Sequence, residues 1–216
     1  MSFQEIRAAI GPEKILAVSK LQPIEKIRAL YDQGQRAFGE NYVQEALDKK
    51  EQLKDLADIQ WHLIGHLQKN KAKFVVGQFE MIHSVDSLEL AQVLSRQCES
   101  KKVEQKILVQ VNLADEESKN GFDKKTAKTQ WEELCKLPHL SIHGLMTMPP
   151  LTETGEEVRP YFKELRLLKD ELAQRTDLKR HPLTVLSMGT SHDYKVAIEE
   201  GATLVRLGTI LFGARN

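Results

Sequence analysis

Lys20 is a residue of this chain that could do covalent chemistry. It ends the apolar run 14–20, KILAVSK, and LQP follows it at once. A lysine at the end of a strand ordinarily marks the return of the chain to water. In a partly desolvated pocket, however, its amine loses basicity and can form a Schiff base with an aldehyde. The role of Lys20 therefore depends on what the fold places beside it.

Two later stretches could bind an anion. SMGTSHD, residues 187–193, puts hydroxyl groups and a glycine just before a predicted helix, and Gly208 and Thr209 follow the last barrel strand that the pattern predicts. Backbone N–H groups at the start of a helix attract anions, and glycines let a ligand come close. A Ser or Asp helix cap explains the first stretch equally well, and both interpretations can hold together.

The elements that must position these residues alternate between strand and helix. Short apolar runs are separated by segments with helical spacing. The runs are 14–20, 36–39, 61–65, 81–86, 105–112, 140–148, 183–189 and 204–213. This pattern predicts an α/β fold with a closed (β/α)8 TIM barrel, and an open doubly wound sheet is the alternative. No glycine fingerprint follows the first run and no linker interrupts the chain, so we expect one domain over residues 1–216.

A barrel of this kind holds its site at the C-terminal ends of the strands, often with a phosphate after the seventh and eighth. The eighth strand of a closed barrel pairs with the first, so a phosphate held there would lie close to Lys20. Pyridoxal 5′-phosphate (PLP) carries both a phosphate and an aldehyde. Arg206, on the eighth run, could point inward toward the pyridine nitrogen, to which it cannot lend a proton.

Composition narrows the function classes. Lys plus Arg and Asp plus Glu are equal at 31 each, so no basic excess exists for binding nucleic acid. The sequence has no signal-peptide pattern and no apolar window of about 18 residues, so we expect a cytoplasmic protein that does not enter a membrane. Cys98 and Cys135 fit no disulfide framework. His62 and His66 lie on a predicted strand and loop instead of one helix, so we predict no metal site.

Long stretches of the chain resemble the pyridoxal phosphate homeostasis proteins, a family related to the N-terminal barrel of bacterial alanine racemase. The matching stretches are AVSK (17–20), FGENYVQE (38–45), WHLIGHLQKNK (61–71), HSVDS (83–87), VNLADEESKNGF (111–122), GLMTMPP (144–150) and residues 186–213. The resemblance implies an alanine racemase-like barrel that binds PLP as an internal aldimine on Lys20. It implies a phosphate held around Ser187, Gly189, Ser191, Gly208 and Thr209, with Arg206 facing the pyridine nitrogen and Asn41 near the ring.

The resemblance further implies a protein that carries or buffers PLP in vitamin B6 homeostasis and has no catalytic residue. Its expected partners are PLP and PLP-requiring apo-enzymes, and we expect a monomer. A single-domain PLP-dependent racemase is the alternative, with Tyr42 or Tyr194 as a second acid or base. A sugar-phosphate isomerase without a cofactor is a further alternative. Met146 and Met148 could line the pocket or belong to the barrel core, and Lys119 resembles a family residue near the pocket mouth.

Overall fold

Eight parallel strands form a closed barrel in sequence order, which confirms the predicted (β/α)8 architecture. The computed structural model describes residues 2–114 and 120–213. The strands are β1 (Ile15–Val18), β2 (Ala37–Glu40), β3 (Gln60–Leu63), β4 (Met81–Val85), β5 (Gln105–Gln110), β6 (Leu140–Met146), β7 (Val185–Thr190) and β8 (Leu204–Leu207). Pairing of β1 with β8 closes the barrel, with Leu16 opposite Arg206.

The α-helices in the described part of the chain surround the strands. They are α1 (Phe3–Ile10), α2 (Ile24–Asp32), α3 (Val43–Gln52), α4 (Ala72–Val75), α5 (Leu88–Lys101), α6 (Lys124–Thr129), α7 (Trp131–Lys136), α8 (Arg159–Ala173), α9 (Tyr194–Glu199) and α10 (Thr209–Phe212). Short 3-10 helices cover Pro12–Lys14, Lys69–Lys71 and Gly155–Val158. None of these helices is both long enough and apolar enough to span a bilayer.

Helix α8 shows why the intervening segments are helical. Its buried residues Phe162, Leu165, Leu168 and Leu172 recur every three or four positions and form one face. The opposite face is charged, and the apolar face packs in the core between the helices and the barrel. Burial of such a stripe, more than local propensity, stabilises a helix of this length.

Two boundaries differ from the sequence prediction. The run 204–213 is a strand only to Leu207, because Gly208 leaves the extended conformation (φ −112°, ψ −85°) and α10 follows it. The segment of helical spacing between the runs 105–112 and 140–148 is divided into α6 and α7 at Gln130. The first difference matters for function, because it turns the residues after Gly208 across the end of β8.

Candidate functional site

A cavity of about 450 Å³ opens at the C-terminal ends of the strands. It brings together the predicted residues Lys20, Asn41, Ser191, Arg206, Gly208 and Thr209. The other lining residues are Val18, Ile64, Met146, Met148, Leu151, Thr190 and His192. Met146 and Met148 are thus both on the cavity wall, and Met146 also packs with Met81 and Leu108 in the core.

A larger cavity of about 600 Å³ lies on the flank of the barrel, near Lys50, Leu53 and Trp61. It contains none of the residues predicted for the site. Barrels of this type carry their chemistry at the C-terminal face, so we assign the candidate site to the cavity that contains Lys20.

Lys20 lies in a tight turn just after β1. The carbonyl of Ser19 accepts a hydrogen bond from the Gln22 N–H at 3.0 Å, which makes Lys20 and Leu21 the central residues of a β-turn. Leu21 has φ 59°, a left-handed conformation that costs a non-glycine residue about 1–2 kcal/mol. Its side chain is 61% exposed, so apolar burial does not offset this cost.

A buried charge cluster holds the backbone on both sides of Lys20. Lys49 Nζ lies 2.8 Å from Glu40 Oε1, 2.6 Å from Glu45 Oε1 and 2.6 Å from the Ser19 carbonyl oxygen. Glu45 Oε1 also accepts the Leu21 N–H at 2.6 Å. Because these bonds fix the residues before and after Lys20, the cluster stabilises the strained turn.

The carboxyl of Glu40 is the most buried member of this cluster. It is 0% exposed, and burial raises its pKa although Lys49 and Ser19 both donate to its Oε1. The residues predicted for the site did not include Glu40, Glu45 or Lys49. The four-residue spacing of Glu45 and Lys49 is a signal, but the same spacing is common on solvated helix faces.

Arg206 is a buried cation at the base of the cavity. It is 5% exposed, and burial lowers its pKa to about 10, so the guanidinium stays charged at neutral pH. Nη1 donates to the Ser187 carbonyl at 2.7 Å and to Ser187 Oγ at 2.8 Å, and Nη2 donates to the Thr147 carbonyl at 2.9 Å. These acceptors are neutral and do not offset the charge of Arg206, on which the Asp193 carboxylate acts without a hydrogen bond.

Ser187 and Gly189 are placed differently from the other predicted residues, because neither is among those that line the cavity. Ser187 is fully buried and binds Arg206. Gly189 has φ 90°, and a Cβ at this position would lie 2.5 Å from Ala197 Cβ and 3.2 Å from Tyr194 Cα. Packing of α9 against β7 therefore accounts for this glycine.

Ser191 joins the loops that follow β7 and β8. Its Oγ accepts the Gly208 N–H at 3.1 Å and the Ile210 N–H at 3.4 Å. A Cβ on Gly208 would be 3.6 Å from Val18 Cβ, an ordinary contact, so the fold itself does not require glycine there. The missing side chain leaves room on the cavity side.

The predicted helix cap in SMGTSHD is a different contact. Asp193 precedes α9 but gives it no side-chain cap, and instead accepts the Thr190 N–H at 2.5 Å. Thr190 Oγ1 also lies 3.0 Å from the same oxygen. Asp193 therefore fixes the loop that carries Thr190 and Ser191 to the cavity.

Asn41 offers a polar atom that the protein itself does not bind. Its Oδ1 is buried and has no hydrogen-bond partner in the described residues. Its backbone passes close to Gly65, where a Cβ would lie 2.2 Å from the Asn41 carbonyl oxygen. Buried polar atoms are rarely left unpaired, so Oδ1 is suited to a ligand in the adjoining cavity.

His62 and His66 differ in their surroundings. His66 is half-exposed and its Nδ1 lies 3.1 Å from Asp86 Oδ2, while His62 is buried inside the barrel. Within residues 2–114 and 120–213, no three His, Cys, Asp or Glu side chains are grouped as metal ligands. Lys119 lies outside the described residues.

Comparison with known proteins gives the family. Residues 2–216 match the family described as alanine racemase, N-terminal domain. A pyridoxal phosphate homeostasis protein of Aquifex aeolicus is 47% identical over 203 residues, which cover 94% of this chain and 87% of the relative. The chain belongs to the pyridoxal phosphate homeostasis protein family. The resemblance found in the sequence is thereby confirmed.

Solved structures of this family share the same barrel. PipY of Synechococcus elongatus, without PLP, is 42% identical with a TM-score of 0.91, and the match covers 97% of each chain. The same protein with PLP bound is 41% identical with a TM-score of 0.90, again over 97% of each chain. An alanine racemase of Clostridium difficile is 17% identical, with a TM-score of 0.76 over 98% of this chain and 55% of that chain, and this likeness shows the fold alone.

Proposed function

We propose that this protein binds PLP reversibly at Lys20 and carries or buffers it for PLP-requiring apo-enzymes. The observation that carries the proposal is one cavity that joins Lys20, Arg206 and the open backbone at Gly208. The PLP-bound structure of PipY, which shares 41% of its sequence with this chain, supports it. A cytoplasmic location and a monomeric state belong to the same proposal.

The residues around the cavity fit the groups of PLP. Arg206 is a buried donor for the ring nitrogen, and Asn41 Oδ1 is a buried acceptor without a partner. Ser191, Gly208 and Thr209 provide hydroxyl groups and an uncrowded backbone for the phosphate.

When bound, PLP would supply an aldehyde, a group that can condense with an amine. The role of the protein is to hold the Lys20 amine in a fixed place. The turn keeps Lys20 at the cavity, and Glu45 and Lys49 keep the turn in its strained form. Arg206 cannot give up a proton near neutral pH, so it presents a hydrogen-bond donor without protonating its partner.

Covalent trapping tests this proposal. Protein mixed with PLP and reduced with borohydride should gain one pyridoxyl group, and peptide mass spectrometry should locate it on Lys20. Lys20→Ala should abolish the modification, whereas Lys71→Ala, an exposed lysine near a neighbouring cavity, should leave it unchanged. Failure of the wild type to incorporate the group at Lys20 would contradict the proposal.

Racemisation is the second candidate, and His192 is the observation that favours it. The titratable residues lining the described cavity are Lys20, His192 and Arg206, whereas Tyr42 and Tyr194 are not on its wall. A racemase needs a second acid or base besides Lys20, and His192 is the residue placed for it.

Incubation of the PLP-loaded protein with L-alanine or L-serine separates the two functions. An ordinary enzyme should form the D-isomer at about 1 s⁻¹ or faster. We expect no such turnover. Racemisation at that rate, lost in His192→Ala, would replace the carrier function with an enzymatic one.

A further inference from the structure

A chain of hydrogen bonds runs through the barrel away from Arg206. Ser187 Oγ lies 2.8 Å from Arg206 Nη1 and 3.1 Å from His83 Nδ1. His83 Nε2 lies 2.9 Å from His62 Nδ1, and the two rings meet edge to face with an interplanar angle of 77°. Ser187 and His83 are fully buried, and His62 is 6% exposed. Bulk water therefore does not determine how these groups pair.

The guanidinium of Arg206 sets the direction of the chain, because it can only donate. Ser187 Oγ accepts from Arg206, and its own hydrogen is then free to be donated to His83 Nδ1. His83 Nε2–H in turn donates to His62 Nδ1. Either order leaves one buried hydrogen without a described acceptor, that of Ser187 in the reverse order and that of His62 Nε2 in this one. The Arg206 charge decides between them, because only this order points the negative ends of the Ser187 hydroxyl and the His83 ring toward the guanidinium.

The far end of the chain agrees with this direction. His62 Nε2 is buried and has no hydrogen-bond partner in the described residues. His62 lines a second cavity, of about 310 Å³, together with Glu13 and Glu80. The Glu80 carboxylate favours a hydrogen on Nε2, and its effect on this ring is larger than the opposing effect of Lys106, with which Glu80 forms an ion pair.

The imidazole rings of His62 and His83 are both neutral in this chain of hydrogen bonds. Burial lowers the pKa of His62 to about 4 and lowers that of His83 well below its ordinary value. A neutral ring with Nδ1 as acceptor has its hydrogen on Nε2.

We propose that His62 and His83 are positioning residues that hold Arg206 through Ser187, and that both carry their proton on Nε2. The inference rests on the proposed function, because Arg206 is the residue proposed there to donate to the ring nitrogen of PLP. By accepting the Ser187 hydrogen, His83 turns the lone pairs of Oγ toward Arg206. Linked hydrogen bonds polarise one another, so this bond strengthens the one from Arg206.

The tautomers can be measured without PLP. Long-range ¹H–¹⁵N spectra of protein labelled at histidine should show protonated Nε2 and unprotonated Nδ1 for both His62 and His83 near neutral pH, with signals assigned by single substitutions. A hydrogen on Nδ1 of His83, or a charged ring, would overturn the proposal whether or not PLP binds.

Ligand discrimination tests the effect on Arg206. The two ligands are PLP and its deaza analogue, in which a carbon atom replaces the ring nitrogen. Wild type should prefer PLP by about tenfold, the equivalent of one hydrogen bond of about 1.4 kcal/mol. His83→Leu should lose most of that preference. A ratio of two affinities measured on one variant is insensitive to the fraction that is folded.

Two further variants complete the test. His83→Asn keeps an oxygen near the position of Nδ1 and should restore the preference. His181→Leu is the matched control, because His181 is 1% exposed and hydrogen-bonded to Ile142 and Cys135. It should retain the wild-type ratio. A wild-type ratio in His83→Leu would refute the positioning role, whereas failure of wild type to bind either ligand would refute the proposed function and leave the tautomer prediction standing.

Discussion

Removing the ammonium of Lys49 should destabilise the protein by several kcal/mol. Lys49→Met keeps the apolar stem but leaves the fully buried carboxyl of Glu40 without its cation. At 2.8 Å and an effective dielectric constant of about 20, the gross attraction of the pair is about 6 kcal/mol. After desolvation is included, breaking a buried pair costs about 3–5 kcal/mol. A protein of this size loses about 2–4 °C per kcal/mol, so the midpoint of thermal unfolding should fall by about 6–20 °C.

The assay is urea unfolding, monitored by circular dichroism at two pH values. Burial already raises the pKa of Glu40, and loss of Lys49 raises it further. A carboxyl whose folded pKa is raised contributes stability at low pH, and this stability is lost as the pH rises through the folded pKa. The deficit of Lys49→Met relative to wild type should therefore be smaller near pH 5 than near pH 7. Adding Glu40→Gln should recover part of it.

The control is Lys54→Met, which breaks an ion pair with Glu51. Those side chains are 75% and 74% exposed, so we expect no measurable loss of stability. If Lys49→Met costs no more than this control, or costs the same at both pH values, Glu40 is not left as a buried charge and the reasoning is wrong.

Three other predictions follow from burial and close contact. Gly65→Ala should lower the free energy of unfolding by about 1–3 kcal/mol and weaken PLP binding, because its Cβ would meet the Asn41 carbonyl oxygen. Gly213→Ala is the comparison in both assays, because its Cβ would meet no atom within 4 Å and only the positive φ of 84° opposes a side chain there. Lowering the pH from 6.5 to 4 should destabilise the protein in urea titrations, because His62 becomes protonated in the unfolded chain but stays largely neutral in the native protein. With its pKa lowered to about 4 in the native protein, His62 accounts for a loss of about 3 kcal/mol. A stability that does not change with pH over this range would contradict the prediction. Burial raises the pKa of the Cys98 and Cys135 thiols to about 11, so at about pH 8 neither forms much of the reactive thiolate in the native protein. A disulfide reagent should therefore modify both cysteines only after unfolding. Rapid reaction of the native protein would contradict this prediction.

The β/α rhythm was enough to predict the barrel and the end of the barrel at which the candidate cavity lies. Pairing of the first and last strands follows from closure, and so does the approach of Lys20 to Arg206, Gly208 and Thr209. These relations depend on strand order alone, which survives small errors in the ends of strands such as 204–213.

The orientation of Ser187 and Gly189 could not be predicted in the same way. Ser187 pairs with Leu204 and Thr190 with Arg206, so three steps along β7 match two along β8. This irregularity breaks the simple alternation of side chains, and the face on which a residue lies can no longer be counted from its neighbours. Gly189 then packs against α9 instead of the cavity.

The charged and histidine clusters were missed for another reason. Glu45 and Lys49 have the spacing of a solvated helix face. Their role differs from that of a surface ion pair because Lys49 also contacts the buried Glu40, which lies on another element. His62 and His83 are on neighbouring strands, and their contact depends on a register in which His62 pairs with Met81. Single histidines in apolar strands do not indicate such a pair.

Closure of the barrel between β1 and β8 has a consequence for synthesis. Lys20 follows the first strand of the barrel to be synthesised, and Arg206 lies on the eighth. A growing polypeptide therefore lacks a complete site until β8 has emerged, so binding of PLP would report that the barrel has closed. Once bound, PLP would connect the earliest and latest strands of the barrel and stabilise the newly completed fold by about 2.7 kcal/mol at a hundredfold excess over its Kd.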